Sequence, residues 1–435
     1  MGKKSNTVRI YLMLTRKCNL NCRYCFEGDK SLLPANDSEL SEETVDKFLI
    51  NFCKDYIKNE RDYFIDFQLT GGEPTLVSPD KWNKICSVIE SRMASFNLDF
   101  GISMVSNGIL LNDDFINVIK KHNIGLLISL DGISDNDRAD RKTNELIVKN
   151  ILNLDKKCNQ KSGLDVCITS KNKDKAIKEL EEYIPDINNR ANKIVPVASS
   201  EVMMSAEEQY TYYHKPLLER FIEKKIVPKT KEWFKFFNVR TGRYLNRFLV
   251  DILTNHTNLQ ECSCTGNYCG GAIKLMALWP DGTVSCCTDV RGYEKYFDGK
   301  ICKAGDYSFL DLDFFRKNFE LVSLISGIRV NCDTCVHDYY CERPCILKIM
   351  NNFGKMPDYV CTLHDNIYRY YINHLREIID TYYDLSDKSI PIIEDSAYSL
   401  KVNRIFDYDL ELSEEKSYDG EIRYKKINLI KRKLN

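Results

Sequence analysis

Six short apolar runs alternate with amphipathic stretches through the first part of the chain: VRIYLML (8–14), YFIDFQL (63–69), FGISMVS (100–106), GLLISL (125–130), DVCIT (165–169) and KIVPV (193–197). The runs have the length and the β-branched and aromatic content of strands. Between them, residues 42–58, 79–94, 113–122 and 144–159 carry apolar side chains at helical spacing. Strands that pair in parallel need a crossover between them, and a helix is the usual one. The alternation therefore predicts an α/β architecture on a parallel sheet, either open or curled into a barrel. In both cases the chemistry belongs in the loops at the C-terminal ends of the strands.

At 435 residues, 43% of them hydrophobic, the chain is long enough for more than one core. A formal net charge of -1 gives no global field to recruit nucleic acid or an anionic membrane, so neither is expected as a partner. No apolar run approaches the roughly 18 to 20 residues of a membrane span. The opening MGKKSNTVRIYLML runs straight into charged TRKCN with no small-residue cleavage site, so no signal peptide is expected and the protein reads as cytoplasmic. Disulfides are rare in that compartment, which makes metal ligation the expected use of 18 cysteines. Three lie at the front and eleven between Cys262 and Cys361, while Cys53, Cys86, Cys158 and Cys167 are scattered and read as small buried hydrophobes.

The front group lies in LTRKCNLNCRYCFEGD (14–29), directly after the first run, with Cys18, Cys22 and Cys25 inside eight residues. Thiolates so spaced can hold one face of an iron-sulfur cube and leave the fourth iron without a protein ligand. Structural zinc wants four protein ligands, and no histidine lies nearby to complete a set. Zinc or unrelated thiols remain the alternatives at this point.

The CxxxCxxC spacing with Tyr24 before the last cysteine resembles the signature of radical S-adenosylmethionine enzymes. After the second run, Gly71, Gly72, Glu73 and Pro74 of TGGEPTL resemble that family's GGEP segment. The resemblance implies that the glycines let the backbone approach the methionine amino group and that the Glu73 carboxylate pairs with it. After the third run, Ser106 and Asn107 fall where the family offers polar groups to the ribose or the methionine carboxylate. After the fourth, Ser129 and Asp131 reach the same rim, with Arg138 and Arg141 following as partners for the methionine carboxylate. Taken singly, each is also ordinary turn or cap chemistry. Together they imply a partial (β/α)6 TIM-like barrel carrying a radical-generating 4Fe-4S cluster on Cys18, Cys22 and Cys25. The implied chemistry is a 5'-deoxyadenosyl radical that removes hydrogen from an unactivated carbon. It needs a low-potential reductant such as flavodoxin or ferredoxin.

Further along, CDTCVHDYYCERPC supplies Cys332, Cys335, Cys341 and Cys345, and Cys361 follows. Upstream, CGGAIKLMALWPDGTVSCC gives Cys269, twelve residues, Gly282, four residues and Cys287. This set resembles the seven-cysteine pattern of the SPASM domain, which holds two auxiliary clusters and would bring the total to three. The resemblance implies Cys269, Cys287 and Cys345 for the first auxiliary cluster and Cys332, Cys335, Cys341 and Cys361 for the second. Cys264 or Cys262 would complete the first cluster, or its iron stays open to a substrate thiolate, and Cys286 beside Cys287 adds an ambiguity. A four-cysteine zinc ribbon is the alternative for residues 332–361.

These motifs look most like maturases that install thioether or related cross-links in ribosomally made peptides, with a precursor peptide as partner. Because the triplet begins at Cys18, leader recognition would fall to a separate protein, the C-terminal tail or the segment between the domains. Anaerobic sulfatase-maturating enzymes, which make formylglycine, are the alternative. They carry an aspartate after the auxiliary cysteine where this chain has Thr288, with Asp289 one further on as a candidate base. A multi-cluster electron-transfer protein is a different class and would need no GGEP loop. The expected domains are 1–200 (radical barrel), 201–259 (helical bridge), 260–380 (SPASM) and 381–435 (extension). In the bridge, Tyr212, Tyr213, Trp233, Phe236 and Arg240 are candidates for a peptide cleft, and the extension has the weak alternation of added strands or a tail.

Overall fold

The computed structural model describes residues 7–25, 39–58, 64–134, 137–158, 161–185, 192–197, 202–223, 275–285, 302–303, 356–374, 377–378, 408–416 and 422–431, together with 187, 190, 245 and 288. By contact clustering, 1–204 with 269–320 and 350–352 form one compact unit, and the rest of the chain forms a second.

The first unit is built on strands β1 (Thr7–Thr15), β2 (Phe64–Gly71), β3 (Phe100–Ser106), β4 (Gly125–Ser129), β5 (Gly163–Ile168) and β6 (Asn192–Pro196). They hydrogen-bond in sequence order and in parallel, Ile10 facing Phe67 and Phe67 facing Ile102 in register. This is the sheet that the alternation predicts, with β6 at one end as a partial barrel requires. Helices α1 (Glu42–Lys58), α2 (Pro79–Ser95), α3 (Asp113–Lys121), α4 (Arg141–Lys157) and α5 (Ala176–Tyr183) make the crossovers. Their starts are set by caps: the side chains of Ser78, Asn112 and Asp140 accept from Lys81, Phe115 and Thr143 N–H groups. Asp140 is why α4 begins at Arg141, three residues before the helical stretch read from the sequence at 144–159. Ile10, Leu12, Phe67, Leu69 and Met104 of the sheet are buried, and Trp82 of α2 is among the largest fully buried side chains.

The sheet continues beyond β1. Strand β7 (Leu275–Leu278) pairs in parallel with β1, Arg9 facing Leu275, and β8 (Thr283–Ser285) and β9 (Cys302–Lys303) follow antiparallel. Tyr11 and Met13 of β1 pack with Ala277 and Trp279, so part of the stretch that sequence groups with the later cysteines is seated on the barrel sheet.

In the second unit, α6 (Ala206–Gln209) runs through a π-helical segment, Tyr210–His214, into α7 (Lys215–Ile222). Pro216 explains the widening, since it has no N–H for the Tyr212 carbonyl and its ring crowds that turn; Lys215 N–H reaches Tyr210 instead. Tyr213 is buried and Tyr212 is 49% exposed; Trp233, Phe236 and Arg240 lie outside the described residues. The unit also holds α8 (Met356–Asn373) and an antiparallel hairpin, β10 (Tyr408–Lys416) with β11 (Ile422–Lys431), which is the strand alternative for the extension. Among the described residues no helix is long and apolar enough to cross a membrane.

Candidate active site

The loops after the first five strands are tied to one another, and the cysteine triplet lies in the first of them. The backbone after β1 runs hard against the end of β2: Gly72 N–H donates to the Thr15 carbonyl and Glu73 N–H to the Lys17 carbonyl, both at 2.8 Å. A Cβ at Gly71 would stand 2.1 Å from the Thr15 oxygen, and one at Gly72 2.2 Å from the Lys17 oxygen, so both glycines are required by main-chain approach. Gly71 also has φ of +141°, open only to glycine. The structural need for these glycines is thus their contact with the cysteine loop itself. Gly72→Ala is expected to cost about 1–3 kcal/mol by forcing the loops apart, seen as a lower urea midpoint of the iron-free protein; an unchanged midpoint would mean that the loops can separate freely.

Glu73 is 1% exposed and joins the second loop to the third. Its Oε1 accepts from Thr75 N–H (2.9 Å), Thr75 Oγ1 (2.6 Å) and Ser106 Oγ (2.8 Å), and its Oε2 from Asn107 N–H (2.7 Å). Burial pushes the Glu73 carboxyl up from its ordinary value, while these hydrogen bonds pull the other way. Asn107 then reaches back to the first loop, its Nδ2 donating to Asn19 Oδ1 at 2.7 Å. The fourth and fifth loops close the ring: Arg23 N–H donates to the Asp137 carbonyl at 2.8 Å, and buried Asp137 receives Arg23, Lys171 and the Thr169 hydroxyl on its carboxylate. Asn19, Thr75, Asp137 and Thr169 escape sequence reasoning. Only Thr75, two residues after a buried acid, carries a local signal, that of a side-chain cap.

Cys18, Cys22 and Cys25 are all half-buried. Cys25 N–H donates to the Cys22 carbonyl at 3.1 Å, a turn that keeps the last two thiols close. Burial raises the Cys22 thiol, and the Arg138 guanidinium pulls it back down. Among the described residues no three His, Cys, Asp or Glu side chains converge to hold a single metal ion. A three-thiol set lacking carboxylate and imidazole suits an iron-sulfur cluster, which takes one thiolate per iron. The Tyr24 hydroxyl is buried with no hydrogen-bond partner, an orphaned polar group beside the triplet that a bound ligand would satisfy.

Ser129 ends β4, buried, and Asp131 is 1% exposed. Asp131 pairs with Arg138 at 2.9 Å. Arg141 goes elsewhere: 63% exposed on the first turn of α4, it pairs with Glu145 at 2.9 Å and with the Tyr183 hydroxyl at 3.2 Å. Pro74 opens a 3-10 turn capped by Glu73. Cys53 and Cys86 are the inert core thiols expected, pushed up to about 12 by burial. Cys167 is only half-buried, with its sulfur 3.9 Å from Arg138 Nη2. Cys361 is exposed on α8. The remaining cysteines of the second half, Cys262, Cys264, Cys269, Cys286, Cys287, Cys302, Cys332, Cys335, Cys341 and Cys345, and Asp289 have side chains outside the described residues.

Residues 12–184 match the family described as the Radical SAM superfamily. With its parallel sheet and the cysteine loop after the first strand, this part of the chain is similar to a radical SAM domain, and the protein is an enzyme. The cysteine-type anaerobic sulfatase-maturating enzyme of Clostridium novyi (strain NT) is 25% identical over 362 residues, spanning 81% of this chain and 89% of that protein. The radical SAM cyclopropyl synthase TigE of Paramaledivibacter caminithermalis is 28% identical over 145 residues, 31% of this chain and 29% of that protein. Among solved structures, native anSMEcpe with bound AdoMet and Cp18Cys peptide superposes with a TM-score of 0.60 at 17% identity, covering 86% of this chain and 99% of that one; this likeness concerns the fold alone.

Proposed function

We propose that the protein is a radical S-adenosylmethionine maturase that removes a hydrogen from a residue of a ribosomally made precursor peptide and closes a thioether or related cross-link there. The observation that carries the reading is the ring of hydrogen-bonded loops joining the triplet to Glu73, Ser106 and Asn107. Cys18, Cys22 and Cys25 would hold the 4Fe-4S cluster. Tyr24, Gly71 to Pro74, Ser106, Asn107 and Ser129 would line the S-adenosylmethionine site, and Arg141 would join them by leaving Glu145. When bound, cluster and co-substrate supply a carbon radical. The chain's own part is to hold them out of water and fix the peptide's geometry. Peptide or protein as the substrate class is supported by the likeness to a sulfatase-maturating enzyme across most of both chains.

Two auxiliary clusters on Cys269, Cys287 and Cys345, and on Cys332, Cys335, Cys341 and Cys361, belong to the same proposal, with Cys264 as a further ligand of the first. A low-potential reductant such as flavodoxin or ferredoxin and a separate leader-recognition protein would be its partners. The same near-full-length likeness favours a second reading, oxidation of cysteine or serine to formylglycine, against which Thr288 stands where that branch has its aspartate. Anaerobic incubation with dithionite, S-adenosylmethionine and a cysteine-containing peptide tests both. The first reading expects 5'-deoxyadenosine together with a peptide that has lost two hydrogens and carries a new bond in tandem mass spectra. Replacement of the cysteine sulfur by an aldehyde oxygen would establish the second, and no 5'-deoxyadenosine would end both.

A further inference from the structure

Arg138 stands where the fourth loop, the fifth strand and the cysteine loop meet. Its Nε and Nη2 donate to Asp131 Oδ2 and Oδ1 at 2.9 and 3.3 Å, a two-pronged pair. Asp131 is itself fixed by Cys167 N–H, which donates to Oδ1 at 2.8 Å. The Arg138 side chain is 10% exposed, and its Cζ lies 5.5 Å from the centre of the Tyr24 ring, between Cys22 and Cys25 in the chain. An arginine keeps its proton under all ordinary conditions, so this is a permanent positive charge held against an aromatic face next to the triplet. Its fork is closed on a buried carboxylate, which sets it apart from the role in binding the methionine carboxylate that the sequence gives it.

We propose that Arg138 is a positioning residue for the triplet's cluster: Asp131 fixes the guanidinium, the guanidinium fixes Tyr24 and the Cys22–Cys25 turn, and its charge favours the reduced, more negative cluster. The inference rests on the radical SAM reading of the triplet. Two substitutions separate its parts. Arg138→Lys keeps the charge but has no planar face or fork, whereas Arg138→Gln removes the charge. Asp131→Asn, which leaves the guanidinium unopposed, tests the charge from the other side if Arg138→Gln does not fold.

Two readouts are taken on the full chain. In the iron-free protein, alkylation of Cys22 and Cys25 by iodoacetamide, located by mass spectrometry, is expected to be faster in Arg138→Lys, which keeps the charge and loses only the planar fork, than in the wild type. In the reconstituted protein, the midpoint potential of the cluster whose EPR signal responds to S-adenosylmethionine is expected to move negative in Arg138→Gln, positive in Asp131→Asn, and to stay near wild type in Arg138→Lys. Unchanged alkylation in Arg138→Lys would overturn the strut, and a wild-type midpoint in whichever of Arg138→Gln and Asp131→Asn folds would overturn the charge effect. If alanine at all three triplet positions leaves the wild-type iron content and EPR signal intact, the cluster reading itself has failed and the charge effect falls with it, while alkylation still decides the strut.

Discussion

Replacing Cys18, Cys22 and Cys25 together by alanine is expected to abolish S-adenosylmethionine cleavage and to remove about four irons per chain, leaving about eight if both auxiliary clusters are present. The fold is expected to survive. All three thiols sit half-buried on a loop, and the thiols that do belong to the core, Cys53 and Cys86, are elsewhere. The loop is also held by groups the substitution leaves intact: the Thr15 and Lys17 carbonyls, Asn19, and Arg23 with Asp137. Iron analysis, chromatography of 5'-deoxyadenosine and far-ultraviolet circular dichroism on the same preparation give the three readings. An unaltered iron content would remove the basis for the cluster.

The second large effect is at Glu73. Its carboxylate accepts from Thr75 N–H, Thr75 Oγ1, Ser106 Oγ and Asn107 N–H in a place closed to water. Alanine there strands those donors, and since a buried donor left without its acceptor costs about 1–3 kcal/mol, the loss of unfolding free energy is expected to reach about 3–5 kcal/mol. Glutamine should lose less, because it keeps one acceptor but turns an amide donor toward another donor. Urea unfolding of the iron-free protein isolates this contribution from any loss of ligand binding. If stability is unchanged while S-adenosylmethionine affinity falls, the carboxylate serves the methionine ammonium rather than the loops.

Much of the barrel was legible because it depends on local pattern. Runs of alternating burial gave all six parallel strands to within a residue or two, and helix α1 to the residue. Where the estimate slipped, a cap outweighed periodicity, as Asp140 does in starting α4 at Arg141. The triplet, GGEP and SNG were readable as motifs and do lie on neighbouring loops. What they touch was not readable, since the partner of Gly72 is a carbonyl 57 positions earlier and Asp137 meets Arg23 across 114. Direction is equally hidden: Arg138 and Arg141 look alike in sequence, yet one turn of chain sends the first under cover to Asp131 and the second out to Glu145. Spacing says nothing of β7 either, because only tertiary pairing brings LMAL to β1.

That pairing has a temporal side. Arg9 of the strand leading into the triplet finds its second neighbour at Leu275, so during synthesis one flank of β1 stays an open edge until most of the polypeptide has left the ribosome. Unpaired strand edges are templates for association, and contacts this distant in sequence form late. A nascent or truncated chain lacking residues 275–278 therefore presents the open edge of β1, with the cysteine loop attached, to other copies of itself. Pairing of β7 has to compete with that encounter, which makes the order in which the two flanks of β1 are covered part of how this protein reaches its folded state.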